Sequence, residues 1–270
     1  MDDLTHLSLF SGIGGLDLAA EWAGFRTVGQ CEWADYPRAV LEKHWPGLPR
    51  WKDIRDLTGV DFRDKTGLNH PTVVSGGFPC QPHGLSGKRM ASDDERDLWG
   101  ELFRVFCETD ARWLVAENVP GLLSSENGRF FGRVLGDLAE RGCHVWWYCF
   151  PARAAGAPFW GERVAIVAAS DSIGWHSVDF RKEVQPSFDH CGCLAEAQTR
   201  QTYLPLHVER TERSASGGTE RNDDGLPEAL DELKCYGNAV MPQQFYPIFR
   251  AIADLEVSQW ENTQSAGCGL

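Results

Sequence analysis

The sequence predicts an α/β protein whose core is a mostly parallel, doubly wound sheet. Short apolar segments with strand character alternate along the chain with segments whose apolar residues recur at helical spacing. A glycine-rich turn follows the first apolar segment, and polar residues directly follow several others. Strands that alternate with helices in this way form parallel sheets that helices cover on both faces. The 270 residues, 42% of them hydrophobic, suffice for one large domain with a small appendage.

The first βαβ unit is predicted at the start of the chain. Its elements are a strand at 7–10, a tight glycine turn at 11–15, an amphipathic helix at 16–22 and a strand at 27–31. Gly24 ends the helix, and Glu32 directly follows the second strand.

The remaining periodic segments continue the alternation. Further strands are predicted at 72–75, 113–116, 145–150 and 164–168, and helices around 98–107, 130–140 and 243–255. From 171 to 230 the pattern gives way to Ser, Thr, Glu, Arg and Gly. We therefore predict a small irregular region at 171–230, inserted into a domain formed by 1–170 and 231–270.

Composition excludes several classes of protein. A formal net charge of −13 argues against gripping nucleic acid through overall electrostatics, although a locally neutral or basic cleft would still serve. No stretch approaches the roughly 18 apolar residues of a membrane span, and the start Met1-Asp2-Asp3 does not resemble a signal peptide, so we expect a cytoplasmic protein. Nine scattered cysteines fit free thiols in a reducing compartment. Cys191 and Cys193 lack a second pair at ligand spacing, so we predict no metal site.

Cys80 is the first candidate for chemistry. Gly76 and Gly77 end a predicted strand and turn the chain outward, which places the thiol at the edge where open α/β sheets bind ligands. A lone cysteine is most often a small buried hydrophobe, but Cys80 lies in a loop rich in Gly, Pro and polar residues. Glu117 directly follows another predicted strand and therefore lies at the same edge. A thiolate with a nearby general acid can add to an electron-poor ring and activate the adjacent carbon.

The glycine turn and Glu32 predict a nucleoside site. Glu32 ends the second strand twenty residues after Gly12, the spacing at which a carboxylate accepts hydrogen bonds from a ribose diol. The turn lacks the third glycine of the dinucleotide fingerprint, so a ligand with one nucleoside and no pyrophosphate fits better than NAD. For the base of that nucleoside we predict stacking by Trp33 and contacts from Asp53 and Ile54.

Five short motifs together resemble those of the cytosine-5 DNA methyltransferase family. In chain order they are Phe10-Ser11-Gly12-Ile13-Gly14-Gly15, Pro79-Cys80-Gln81, Glu117-Asn118-Val119, Gly156-Ala157-Pro158 with Glu162-Arg163-Val164, and Gly237-Asn238-Ala239-Val240. They keep the family's order, and the match covers nearly the whole chain apart from the irregular region. The resemblance implies a Rossmann-like methyltransferase fold, S-adenosyl-L-methionine as cofactor and double-stranded DNA as substrate.

The resemblance also implies the roles of single residues. The Cys80 thiolate would add to carbon 6 of a flipped-out cytosine while Glu117 protonates ring nitrogen 3 and Arg163 binds the carbonyl oxygen. Residues 82–96 would form a loop over the base. DNA contacts are implied for Gln81, Ser86, Lys88 and Arg89. Cofactor contacts are implied for Phe10, Ser11, Gly12, Gly14, Gly15, Glu32, Trp33, Asp53, Ile54, Pro79, Leu98, Asn238 and Val240.

Two motifs depart from the family's pattern. Gly84 stands where the family usually has serine. Phe159 and Gly161 stand where it usually has glutamine and a further arginine. We expect altered loop contacts or lower activity from these changes.

By this resemblance, residues 171–230 would take the place of the family's target-recognition region. Residues 1–170 and 231–270 would together form the catalytic domain. We expect a monomer that methylates a specific short sequence. It would serve in a restriction-modification system, whose cognate restriction endonuclease forms no stable complex with it, or as a phage or orphan enzyme.

A tRNA cytosine-5 methyltransferase is an alternative, although the Cys-Phe-Thr signature of those relatives is absent from residues 171–230. A catalytically weak DNA-binding pseudoenzyme is another, against which the retention of Cys80, Glu117 and Arg163 argues.

Overall fold

The computed structural model describes residues 3–79, 98–157, 160–170, 180, 182–184 and 239–267, with side chains as far as 260. Most of the predicted irregular region lies outside these residues. So do six of the predicted site residues, Cys80, Gln81, Ser86, Lys88, Arg89 and Asn238. Within the described part, none of the helices has the length and apolar character needed to cross a membrane. That part also holds no cluster of His, Cys, Asp or Glu arranged to bind a metal ion.

A seven-stranded sheet forms the centre of the described structure. Its strands are β1 (Thr5–Leu9), β2 (Arg26–Cys31), β3 (Arg50–Trp51), β4 (Val73–Gly77), β5 (Trp113–Asn118), β6 (Cys143–Phe150) and β7 (Arg163–Ser170). Their order across the sheet is β3-β2-β1-β4-β5-β7-β6. The pairs from β3 to β5 are parallel, whereas β7 runs antiparallel to both β5 and β6. The prediction of a mostly parallel sheet is confirmed.

Helices cover both faces of this sheet. They are α1 (Gly15–Trp22), α2 (Asp35–His44), α3 (Gly59–Thr66), α4 (Trp99–Glu108), α5 (Gly121–Ser124), α6 (Arg129–Glu140) and α7 (Pro242–Gly267). Alternate residues of β5 enter two separate cores. Trp113 packs with residues of α1 and α7, while Leu114 packs with residues of α3, α4 and α6. The doubly wound arrangement follows from this division.

The segment between β2 and β4 contains elements that the sequence did not predict. Helix α2 buries only Pro37 and Leu41, and α3 buries only Gly59 and Phe62. Two buried positions do not make the apolar stripe by which an amphipathic helix is recognised. Strand β3 has two residues, too few for any period to be seen. Helix α7 begins near the predicted residue 243 but continues to Gly267.

Candidate active site

Glu117 lies at the carboxyl end of β5, beside the carboxyl end of β4. In the parallel ladder it is the partner of Gly77. A Cβ atom built on Gly77 would stand 2.6 Å from Glu117 Oε2, well inside a van der Waals contact. The glycine at the end of β4 therefore leaves the space that the Glu117 carboxyl occupies.

Asn118 fixes the chain that leads from β4 towards Cys80. Its Nδ2 donates to the Phe78 carbonyl oxygen at 2.9 Å, and its Oδ1 accepts from the Val119 backbone N–H at 2.9 Å. Phe78 is 2% exposed and packs against Trp99, with ring centroids 5.3 Å apart. The backbone is thus held two residues before Cys80, which itself lies outside the described residues.

Arg163 and Glu117 form a buried ion pair at this edge. Arg163 Nε lies 2.9 Å from Glu117 Oε1, and the two side chains are 18% and 10% exposed. Burial raises the pKa of Glu117 to about 7, and the nearby guanidinium opposes that rise. A carboxyl with a pKa near neutrality can both hold and release a proton at physiological pH, which is what a general acid requires.

Helix α7 holds the turn in front of Arg163. Gln244 is 2% exposed, and its Nε2 donates to the carbonyl oxygens of Gly161 at 3.0 Å and Phe150 at 3.3 Å. Phe150 is also the ladder partner of Arg163. The end of β6, the start of β7 and α7 are therefore tied together directly beside the ion pair.

The predicted glycine turn follows β1 at the same edge of the sheet. Phe10, Gly12 and Gly14 have φ values of 51°, 54° and 90°, the left-handed region that glycine adopts most readily. The Ser11 backbone N–H donates to the Cys31 carbonyl oxygen at 3.0 Å, which joins the turn to the end of β2. A Cβ atom on Gly15 would stand 2.2 Å from the Val240 carbonyl oxygen, so only glycine permits this approach. The first and last described parts of the chain therefore meet at the turn.

The Glu32 carboxylate faces this turn from the end of β2. Its Oε2 accepts from the Gly12 N–H at 2.8 Å, and its Oε1 accepts from the Ala34 N–H at 2.9 Å. Among the described residues, a Cβ atom built on Gly12 meets no atom within 4 Å, so these residues leave open space beside the carboxylate. A half-buried carboxylate with spare acceptor capacity beside open space suits a ribose diol.

The other predicted cofactor residues differ in how much surface they offer. Trp33 is 65% exposed, and Lys52 Nζ lies 5.7 Å from its ring centroid. Asp53 is half-buried, and its Oδ1 accepts from the Arg55 N–H at 3.0 Å. Ile54 is 3% exposed and packs in the hydrophobic core, so little of its side chain is accessible to a ligand. Its contact with the base stays a prediction. Pro79 is exposed, and the half-buried Leu98 precedes α4.

Asp17 supports the turn from beneath and was not predicted from the sequence. It is fully buried in α1, where its two carboxylate oxygens accept from Ser8 Oγ and Gln30 Nε2, each at 2.8 Å. Burial raises the pKa of Asp17 to about 6. Gln30 Oε1 in turn accepts from Arg50 Nε at 2.9 Å. The sequence did carry a signal for this role, because Asp17 is an acidic residue on the apolar face of a predicted helix, next to Leu16 and near Ala19.

Gln244 was also missed. It lies on the buried face of a helix that the sequence did predict, where a polar residue among aromatic and aliphatic neighbours indicates a specific partner. Its partners, Phe150 and Gly161, are remote in sequence. Their proximity depends on the packing of α7 against the sheet, which periodicity does not reveal.

Comparisons with known proteins give relatives over most of the chain. A family model for C-5 cytosine-specific DNA methylase matches residues 4–216, well over half of the chain. The type II methyltransferase M.BsuFI of Bacillus subtilis is 28% identical over 248 residues, which cover 92% of this chain and 58% of that protein. The type II methyltransferase M.NgoBI of Neisseria gonorrhoeae is 32% identical over 171 residues, which cover 63% of this chain and 52% of that protein.

Solved structures share the architecture. A crystal structure of a Spodoptera frugiperda DNMT2 mutant superposes with a TM-score of 0.52 at 22% identity, over 64% of this chain and 51% of that chain. At this identity the likeness concerns the fold, and it agrees with the Rossmann-like methyltransferase fold expected from the sequence. The chain spans about half the length of the curated relatives described above.

Proposed function

The chain belongs to the C-5 cytosine-specific DNA methylase family, and on that premise we propose that it methylates carbon 5 of a cytosine in duplex DNA. The ion pair of Glu117 and Arg163 is the observation that carries the proposal. A cytosine offers a ring nitrogen to protonate and a carbonyl oxygen to bind. A buried carboxyl with a pKa of about 7, held against a guanidinium, matches both needs.

The proposed reaction begins when the Cys80 thiol loses its proton to water and the thiolate Sγ forms a bond to carbon 6 of the cytosine. Glu117 gives its proton to ring nitrogen 3, while Arg163 donates to the carbonyl oxygen. Carbon 5 then carries an electron pair that would form a bond to the methyl group of S-adenosyl-L-methionine, while the bond from that methyl group to the sulfonium sulfur breaks and leaves the neutral thioether S-adenosyl-L-homocysteine. A base removes the carbon 5 proton, the Sγ–C6 bond breaks and Glu117 recovers its proton. A free thiol has a pKa of about 8.5, so protonation of the ring by Glu117 offsets the weak nucleophilicity of Cys80 at neutral pH.

S-adenosyl-L-methionine fits the turn between β1 and α1. Bound there, it would supply the methyl group. Glu32 would accept hydrogen bonds from the ribose, and Gly12, which has no side chain, would leave space for the ribose beside it. Trp33 would cover the adenine with its exposed ring. Gly14, Gly15, Val240 and the remaining predicted cofactor residues would complete the pocket.

Glu32→Ala is expected to weaken S-adenosyl-L-methionine binding about 10- to 100-fold, because a charged acceptor contributes about 1.5–3 kcal/mol to a hydrogen bond. The Kd would be measured by titration calorimetry. Glu140→Ala provides the control, since Glu140 is an exposed acid at the end of α6. Wild-type affinity in Glu32→Ala would remove Glu32 from the cofactor site.

The substrate side of the proposal concerns residues outside the described part of the chain. The target cytosine has to leave the duplex at a cost of a few kcal/mol, because its ring cannot be reached inside the stack. We assign DNA contacts to Gln81, Ser86, Lys88 and Arg89, and target recognition to residues 171–230. The two flanking segments would form one catalytic domain, since α7 packs on α1. We assign it a role as a monomeric modification enzyme, either paired with a separate restriction endonuclease or orphan.

Methylation of DNA in cells tests the function directly. Bisulfite sequencing of DNA from cells that express the chain should show unconverted cytosines in one short sequence context. The same cells expressing Cys80→Ser should show full conversion. Unmodified DNA together with methylated tRNA would replace this proposal with the RNA alternative. Intact cofactor binding without methylation of either nucleic acid would indicate a pseudoenzyme.

A further inference from the structure

The connection between β6 and β7 presents an exposed aromatic ring and a cation at the active-site edge. Trp160 is 62% exposed, and Arg153 is exposed on the short 3₁₀ helix Ala152–Ala155. The connection leaves the carboxyl end of β6 and returns at Arg163, the residue paired with Glu117. Arg153 and Trp160 therefore lie on the side of the sheet where the target base would be bound.

The backbone beneath the Trp160 ring is held from two sides. The Ala152 N–H donates to the Trp160 carbonyl oxygen at 2.7 Å. The next carbonyl, that of Gly161, accepts from Gln244 Nε2 at 3.0 Å. Ala152 and Ala155 are fully buried under the connection. A ring carried on an anchored backbone loses little further backbone entropy when it binds a partner.

Arg153 supplies a positive charge next to this ring. It directly follows Ala152, whose N–H bonds to Trp160. Within the described residues Arg153 forms no ion pair, and the chain carries a formal net charge of −13. An exposed cation in an acidic protein is suited to an anionic partner, and a phosphate is the anion that DNA provides.

A single exposed tryptophan is common on protein surfaces, but three features set this one apart. The exposed Arg153, which has no ion pair among the described residues, follows the residue bonded to the Trp160 backbone. That backbone is anchored, and Val119 after β5 exposes a further apolar side chain at the same edge. Aromatic rings beside basic side chains are typical of surfaces that bind unstacked nucleic acid, where rings stack on bases and cations bind phosphates. Base flipping leaves unstacked bases beside the target.

We propose that Trp160 stacks on an unstacked base next to the flipped cytosine and that Arg153 binds the phosphate of the same strand. The inference rests on the proposed function, because it needs DNA at this edge of the sheet. It assigns DNA contacts to described residues outside the loop after Cys80. It also gives Trp160 a DNA-binding role in a motif that departs from the family's pattern at Phe159 and Gly161.

The test compares DNA binding and turnover in variants of the full chain. Trp160→Ala is expected to raise the Kd and the KM for duplex DNA about 5- to 150-fold, since stacking on one base contributes about 1–3 kcal/mol. Trp160→Phe should retain most of the affinity because it keeps a ring. The Kd for S-adenosyl-L-methionine should not change in either variant. Arg153→Gln should reduce the slope of log Kd against log salt by about one.

Trp260→Ala is the matched control. Trp260 is 41% exposed and lies near the starts of β1 and β2, at the opposite edge of the sheet. Unchanged DNA affinity in Trp160→Ala, in a preparation whose wild type methylates DNA, would overturn this inference and leave the proposed function standing. A wild type that neither binds nor methylates DNA would overturn both.

Discussion

Glu117→Gln is expected to lower kcat for methyl transfer about 10²- to 10⁴-fold, the usual contribution of a positioned general acid. Glutamine fills the same space beside Gly77 and can still contact Arg163, but it has no proton to give to a ring nitrogen. Turnover would be measured with labelled S-adenosyl-L-methionine and duplex DNA. Cofactor affinity should stay at the wild-type level, because Glu117 lies outside the glycine turn where we propose that the cofactor binds.

The same substitution is expected to stabilise the folded protein at high pH. Burial raises the pKa of Glu117 from 4.5 to about 7, so the folded state holds its proton where the unfolded state has lost it. The wild type therefore loses stability as pH rises from 4.5 through 7. Glutamine escapes that loss. Urea unfolding should show equal stability below pH 4.5 and a gain on the order of 3 kcal/mol in the variant above pH 7.

Glu256→Gln is a stringent control for the loss of kcat, because it also removes a buried carboxylate that pairs with an arginine. Glu256 is 7% exposed, accepts from Trp113 Nε1 at 2.7 Å and pairs with Arg112 at 2.9 Å. Burial raises the pKa of Glu256 as well, yet Glu256 belongs to α7 and its carboxylate contacts Trp113 at the start of β5, whereas Glu117 lies at the other end of that strand. Its variant should keep full activity. Equal losses of kcat in the two variants would show that burial of a carboxyl, rather than its position, matters.

Cys80→Ser is expected to lower methyl transfer by at least about 10⁴-fold, as removal of a catalytic nucleophile does. A hydroxyl is far less acidic and less nucleophilic than a thiol, so the bond to carbon 6 does not form at a useful rate. Binding of S-adenosyl-L-methionine should be unchanged. Labelled methyl transfer and cofactor titration measure the two effects separately.

A control and a trapping experiment accompany this variant. Cys149 is an exposed cysteine on β6, and Cys149→Ser should leave turnover intact. In the presence of S-adenosyl-L-methionine, duplex DNA with fluorine at carbon 5 of the target cytosine should hold the wild type covalently, because after methyl transfer carbon 5 carries no proton to be removed before elimination. Trapping by Cys80→Ser, or wild-type turnover in that variant, would exclude Cys80 as the nucleophile.

The sequence was sufficient for the parts of the site that depend on one chain segment and the end of its strand. The glycine turn, Glu32 and Glu117 follow apolar segments directly, so an alternating pattern was enough to bring them to one edge. It was insufficient for contacts that depend on packing between distant elements. The pairing of Glu117 with Arg163 requires β7 to run against β5, and the role of Gln244 requires α7 to lie across the end of β6.

The structure gives a physical reason for Gly161, which stands where the family usually has arginine. Its φ is 45°, in the left-handed region, and its carbonyl oxygen accepts from Gln244. An arginine in that conformation would be strained by roughly 1–2 kcal/mol. The residue that the family usually has here is therefore poorly suited to the path that this chain takes into β7.

Because β7 runs antiparallel to β5, the hydrogen-bond register between these two strands decides whether Arg163 can reach Glu117. Asn118 is opposite Val164, which sets Arg163 within reach of Glu117. A slip of one residue would turn the guanidinium to the other face of the sheet, and a slip of two would carry it roughly 7 Å along the strand. Either error would leave a folded, hydrogen-bonded sheet in which the acid has lost its partner. Insertions or deletions between β6 and β7 would then silence the chemistry before they unfold the protein.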